Sequence, residues 1–270
     1  MIGRNVLMGL AIVAAPTVSH AAFVDDFESY VVSAFPSPKW LDARTLIPSP
    51  NTPNPSGRII NTLGPGGTLT KAFRTQRSVG TSQGIYARFA PTRHLSISAD
   101  VRFDFWDNST NGNGGGWPLA LGFFNATPGN DPNFAPQVMI VADSTNKTWT
   151  IYTQTGPAFS TAQFIPLSVV APGLNTWYNL ALDVDTETGL VSARVRLSSS
   201  AGFIVNTSFF IPNWDSASAQ YNVGAALDGE YGTNATLGGQ ATVDNILLIP
   251  SPAALVPMTL GVVALRRRKR

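Results

Sequence analysis

The chain has 270 residues, no cysteine, two histidines and only 13% charged side chains. The lack of thiols excludes a disulfide scaffold, thiol chemistry and zinc–thiolate sites, and a span of this length buries an adequate core without cross-links. The formal net charge of +2 misleads: six of the 18 Lys and Arg residues are Arg4 and the five that end the chain, leaving 12 against 16 acidic residues. Nucleic acid is thereby excluded as a partner on electrostatic grounds.

In chain order, the first element is a leader. Arg4 supplies a small basic region, Val6 to Val18 is apolar, and Ser19-His20-Ala21 offers small residues at the two positions a signal peptidase reads. The expected signal peptide is 1–21, with cleavage after Ala21. Loss of His20 leaves His94 as the sole histidine, so a multi-histidine metal site is excluded. His94 itself reads as a surface residue.

The span 22–249 shows almost no helical periodicity, and strand signals recur between turn residues. Phe23 to Glu28 opens it, and six prolines between Pro36 and Pro55 predict a long surface loop. Short strands are expected over Arg58 to Leu63, Gly67 to Phe73 and Gly84 to Ala90. The clearest strand is Leu95 to Phe105, where apolar odd positions alternate with Ser96, Ser98, Asp100, Arg102 and Asp104. After a Gly/Asn-rich loop at 107–116, further strands are expected at 117–124, 137–142 and 147–154. Trp177 to Asp185 and Leu190 to Ser198 form a pair across Thr186-Glu187-Thr188-Gly189, and strands over 203–210, 221–227 and 240–249 follow. About a dozen strands with hairpin turns and no fixed-period repeat predict an all-β sandwich of two antiparallel sheets.

The last stretch has three parts: Pro250-Ser251-Pro252, an apolar run from Ala253 to Leu265, and Arg266-Arg267-Arg268-Lys269-Arg270. Thirteen apolar residues fall short of the about 20 that span a bilayer, so the run predicts a short hydrophobic helix that halts only transiently at the membrane, its cations inside. This order resembles the PEP-CTERM sorting signals of exported bacterial proteins, with Ser251 where that family usually has Glu. The resemblance implies an exosortase-like sorting enzyme as partner, transient inner-membrane contact, and delivery to the cell surface or extracellular matrix, with 250–270 as the sorting tail.

Three places in the body resemble the concanavalin A-like, laminin-G-like jelly roll: Asp25-Asp26-Phe27-Glu28, Trp177 to Asp185 with Thr188-Gly189, and Val243-Asp244-Asn245-Ile246. That fold family includes sugar binders, protein binders and glucan hydrolases. Its hydrolases carry paired glutamates about four residues apart on one strand, and glycoside hydrolysis requires two flanking carboxyl groups. The only glutamates here, Glu28, Glu187 and Glu230, have no partner at that spacing, which disfavours a glycoside hydrolase or lyase.

In the resembled fold the first and last strands adjoin. Asp26, Glu28 and Asp244 would then meet as oxygen ligands for a structural calcium ion, or alternatively cap turns and pair with arginines. Trp106, Trp117, Trp214 and Tyr231 lie in or beside Gly/Asn-rich loops, where aromatic rings stack on sugars and Asp107 and Asn108 would fix hydroxyls; core packing is the alternative. Trp149 and Trp177, inside strand patterns, are expected in the core. The resulting expectation is an exported, non-catalytic protein that binds polysaccharide or acts structurally in an extracellular polysaccharide layer.

Overall fold

The structure is a computed structural model that describes residues 22–45, 56–75, 83–106, 116–125, 137–143, 148–154, 162–168, 170, 172–217, 219–230 and 239–251. The leader, Asp107, Asn108, Tyr231 and the tail from Pro252 onward, with Arg266, Arg267 and Arg268, lie outside the described residues.

The strands are β1 (Phe23–Asp25), β2 (Leu41–Asp42), β3 (Gly57–Leu63), β4 (Leu69–Thr75), β5 (Gln83–Arg88), β6 (His94–Trp106), β7 (Gly116–Phe124) and β8 (Gln137–Asp143). They continue as β9 (Thr148–Gln154), β10 (Ala162–Ser168), β11 (Trp177–Asp185), β12 (Leu190–Leu197), β13 (Phe203–Phe210), β14 (Val223–Glu230) and β15 (Gly239–Ser251), and one 3-10 turn spans Ala43–Thr45. Sheet A has the order β13-β12-β11-β6-β15-β4-β3, with β1 also paired to β15. Sheet B has the order β10-β9-β8-β7-β14-β5-β2, and every strand pair is antiparallel.

The expected two-sheet jelly roll is present. The alternation in β6 works as anticipated, with Leu95, Ile97, Ala99, Val101 and Phe103 buried between the sheets. Phe103, Trp149 and Tyr178 pack there with ring centroids 5.2–6.2 Å apart. Trp177 departs from expectation. Tyr178 and Leu180 take the inward parity of β11, so Trp177 lies on the outer face of sheet A, where Arg102 sits 5.1 Å from its ring centroid. Its Nε1 donates to the Leu63 carbonyl at 2.9 Å. The strand β10 was not anticipated, and β15 runs two residues past the expected boundary, taking in Pro250 and Ser251.

The N-terminal segment is pinned by one carboxylate. Asp25 accepts hydrogen bonds from the Phe27 amide (2.9 Å), the Tyr30 hydroxyl (2.8 Å) and Trp40 Nε1 (2.7 Å), and Lys39 Nζ lies 3.3 Å away. Burial, then the Asp25 carboxylate, pushes the Tyr30 phenol above its ordinary pKa. These bonds turn the chain so that Phe27 enters the core against Trp40 and Phe73. Asp25→Ala leaves the buried Trp40 indole and the half-buried Tyr30 hydroxyl without their acceptor. It is expected to cost about 2–4 kcal/mol, a fall of roughly 5–15 °C in melting temperature followed by circular dichroism.

Candidate functional site

Pairing of β1 with β15 sets Asp25 opposite Ile246 and brings the turn after β1 to the outer face of sheet A beside Asp244. Asp26, Glu28 and Asp244 therefore share one corner. The structure adds Asp100, which is directly opposite Asp244 on β6. Asp244 is only 2% exposed, and its Oδ1 accepts from the Asn245 amide at 2.8 Å. Asn245 has φ 51° at the bulge between Asp244 and Leu247. This left-handed conformation, which Asn tolerates better than most residues, lets its Nδ2 donate to Asp100 Oδ2 at 2.9 Å. Asp100 Oδ1 accepts from Asn179 (3.1 Å) and Ser198 (2.8 Å).

The corner is electrostatically unbalanced. Glu28 Oε1 accepts from the Thr70 hydroxyl and the Lys71 amide, which hold its carboxyl below the usual range. Lys71 Nζ is directed to the carbonyls of Glu28 and Tyr30 at 2.8 and 2.9 Å. At Asp244 burial, opposed by the Asn245 amide and reinforced by the charges of Asp100, Glu28 and Asp26, pushes the carboxyl up to about 7. Among the described residues no three acidic or imidazole groups stand at metal-ligating positions, so the corner is a cluster of oxygen donors rather than a formed metal cage.

The aromatic candidates divide. Trp106 ends β6 opposite Gly239, and Trp117 lies in β7 opposite Gly229, so the backbone gathers both at one end of the sandwich. The segments 107–115 and 231–238, which contain Asp107, Asn108 and Tyr231, leave from the same strand ends. Trp214 does not belong with them. It lies at the opposite end, half-buried over the β11–β12 hairpin, and its Nε1 donates to the Thr186 carbonyl at 2.9 Å. Gly189 (φ 71°) makes room for it, because a Cβ there would come within 2.4 Å of the indole. The expectation of Trp214 as a free stacking platform is thus corrected: its ring closes a hairpin.

His94 is likewise not a surface residue. It is 5% exposed, and its Nδ1 lies 3.8 Å from Asp185, whose carboxylate is bound to Arg93 at 3.2 Å.

The outer face of sheet B was not foreseen. Cross-strand partners share a face, and the register places Tyr86, Ala225, Gly122, Met139, Tyr152 and Phe164 in one row across the sheet. Tyr86, Ala225, Met139 and Tyr152 of this row are at most 3% exposed and form a second buried cluster with Phe124, Val141 and Val223; Phe164 alone of the row's large side chains is exposed. At Gly122 even a methyl group would meet the Val138 carbonyl at 2.2 Å. In the adjacent row Gln137 donates to Gln154 at 2.9 Å, and the Tyr152 hydroxyl donates to the same Gln154 oxygen at 2.8 Å. The described side chains of these rows are apolar, phenolic or amide except for Arg88, which lies in the row of Gln137 with its guanidinium 5.7 Å from the Tyr86 ring centroid, and they include no pair of carboxylates.

The chain matches no protein-family model, and no curated protein matches its sequence. Its fold is similar to the exoplasmic/lumenal domain of VIP36. The Ca2+-bound form superposes with a TM-score of 0.51 at 11% identity, covering 87% of this chain and 92% of that one. The Ca2+/Man3GlcNAc-bound form gives 0.50 at 13% identity, covering 87% and 90%. The Ca2+/Man2-bound form gives 0.51 at 12% identity, with the same coverage.

The raised Asp244 pKa has a definite pH signature. The folded state holds a proton at pH values where the unfolded carboxyl, near 3.9, has lost it. Stability contributed by that proton is full below about pH 4 and is lost as pH rises through about 7. In cation-free buffer the melting temperature of the wild type should fall relative to Asp244→Asn by on the order of 5 °C between pH 4 and pH 8. Differential scanning calorimetry of both proteins across this range checks it.

Proposed function

We propose that this is an exported, non-catalytic jelly-roll protein that binds polysaccharide at the cell surface or in an extracellular matrix. The observation that carries the reading is the placement of Trp106 and Trp117 at one end of the sandwich. Flat aromatic faces beside Asn and Asp side chains suit sugar rings and their hydroxyls, and such a rim acts by stacking and hydrogen bonding. The described rows on the outer face of sheet B carry no pair of carboxylates, which supports a binding rather than a hydrolytic role.

Calcium is proposed as the resident cation of the acidic corner. Asp26, Glu28, Asp100 and Asp244 are hard oxygen donors of the type it prefers. A bound dication would neutralise the charges that raise the Asp244 pKa and brace β1 to β15. Export is assigned to residues 1–21. Sorting by an exosortase-like enzyme, with transient membrane contact through 253–265, is assigned to the tail that begins at Pro250-Ser251-Pro252.

The test is a glycan array and polysaccharide pull-down with the full chain, with and without calcium chelation. Binding should fall about tenfold or more for Trp106→Ala or Trp117→Ala, each removing one aromatic anchor at about 1.4 kcal/mol or more. Trp214→Ala should lower the melting temperature and leave glycan selectivity unchanged. Binding that withstands both rim substitutions would overturn the assignment of the site. A melting temperature indifferent to chelation and to added calcium would overturn the cation.

A further inference from the structure

The outer face of sheet A sets two aromatic rings around a cation that no described group pairs with. Cross-strand partners share a face, so Asp100 of β6, Asn179 of β11, Arg196 of β12 and Phe203 of β13 form one row across it. Phe203 is in that row because the β12–β13 register shifts between Val195 and Arg196 and passes over Ile204, which packs against the core. A bulge of this kind re-aims a side chain; here it turns Phe203 outward, 50% exposed. Trp177 and Ser198 follow in the next row, joined by the bond from the Ser198 amide to the Trp177 carbonyl at 3.0 Å. The Trp177 indole is half-buried, and the Leu63 carbonyl and Arg102 fix its orientation.

The other charged groups around this patch are already engaged. Arg194 is bound to Asp183 and Arg102 to Asp104. Asp100 accepts from Asn179, Ser198 and Asn245. Arg196 is half-buried, and among the described residues its guanidinium has no hydrogen bond and no ion pair.

We propose that this face binds an acidic polysaccharide, with Arg196 gripping the carboxylate of a uronic acid residue and Trp177 and Phe203 lying against the sugar rings on either side. A guanidinium matches a carboxylate through two parallel N–H···O bonds. Asn179 and Ser198 each donate to Asp100 and keep an oxygen that accepts from ring hydroxyls. The selection of an anion is local. Outside Arg4 and the five terminal cations the chain has 12 basic against 16 acidic residues, so its body has no general attraction for polyanions. The surface presupposes the polysaccharide-binding role and extends it beyond the rim: Trp177 stands opposite Arg102 on β6, the strand that ends in Trp106.

The test measures binding of the full chain to polygalacturonate and to its fully methyl-esterified form, which keeps the rings and loses the charge. The acid form should bind at least about tenfold more tightly, and the advantage should shrink as salt is raised. Arg196→Gln should bring the two forms to within about twofold of each other at an unchanged melting temperature, and Arg196→Lys should restore only part of the preference. Phe203→Ser should weaken binding of both forms about threefold to fivefold. A wild type that binds the two forms equally would overturn the inference. So would an Arg196→Gln variant that keeps the wild-type preference, because the basic end of the chain is common to both proteins and a preference carried by it survives the substitution. Binding lost in Trp106→Ala and Trp117→Ala but untouched by Arg196→Gln and Phe203→Ser would uphold the rim and overturn this face. Absence of binding to any polysaccharide would overturn both.

Discussion

Sheet A is completed by the last strand of the chain, and everything near it waits on that event. β15 is thirteen residues long and lies in the middle of the sheet. One side pairs with β6 along most of its length; the other is shared by β4, at Thr242–Val243, and β1, at Ile246–Leu248. The N-terminal strand has no place until β15 is in position. Asp25 then fixes the turn that follows, and Phe27 fills the core beside Phe73 of β4. A sheet closed by contacts between the two ends of the chain carries a large loop-closure cost, and such topologies fold slowly.

The two outer faces of the sandwich are managed differently. Sheet A carries paired polar side chains, among them Asp183 with Arg194 across β11 and β12 and Asp104 with Arg102 along β6, each at 2.6 Å. Sheet B carries the row that runs from Tyr86 to Phe164, most of it buried. The acidic corner is an exception to the balance on sheet A. Two strands bring Asp100 and Asp244 opposite one another, and the turn after β1 adds Asp26 and Glu28. Lys71, drawn there, directs its Nζ to backbone carbonyls.

The parts of the fold that follow from local pattern were legible. β6, β11 and β12 declare themselves by alternation, and their hairpin by Thr188-Gly189. β10 did not, because Pro166 interrupts a stretch with no clear period, and β2 is too short to leave a pattern. The site was legible only where it depends on neighbours in sequence. In Asp25-Asp26-Phe27-Glu28, composition cannot say which carboxylate turns inward; it is Asp25, bonded to Trp40 fifteen residues on. Asp100 looked like one polar position of an alternating strand, and its meaning comes from facing a residue on β15. Trp214 looked like a loop aromatic because its seat, the left-handed Gly189 across the hairpin, is a tertiary fact.

The end of β15 has a consequence for the junction behind it. Pro250 and Ser251 are the register partners of Leu95 and His94, so the first two residues of the Pro-Ser-Pro motif are strand rather than free linker. Any enzyme that grips an extended peptide there must first peel the strand end from its neighbour. Access to the junction is then set by local fraying, an equilibrium with its own free energy, separate from global unfolding. If the tail is processed as proposed, a more firmly zipped β15 would slow that step, and the completeness of the fold would meter the fate of the tail.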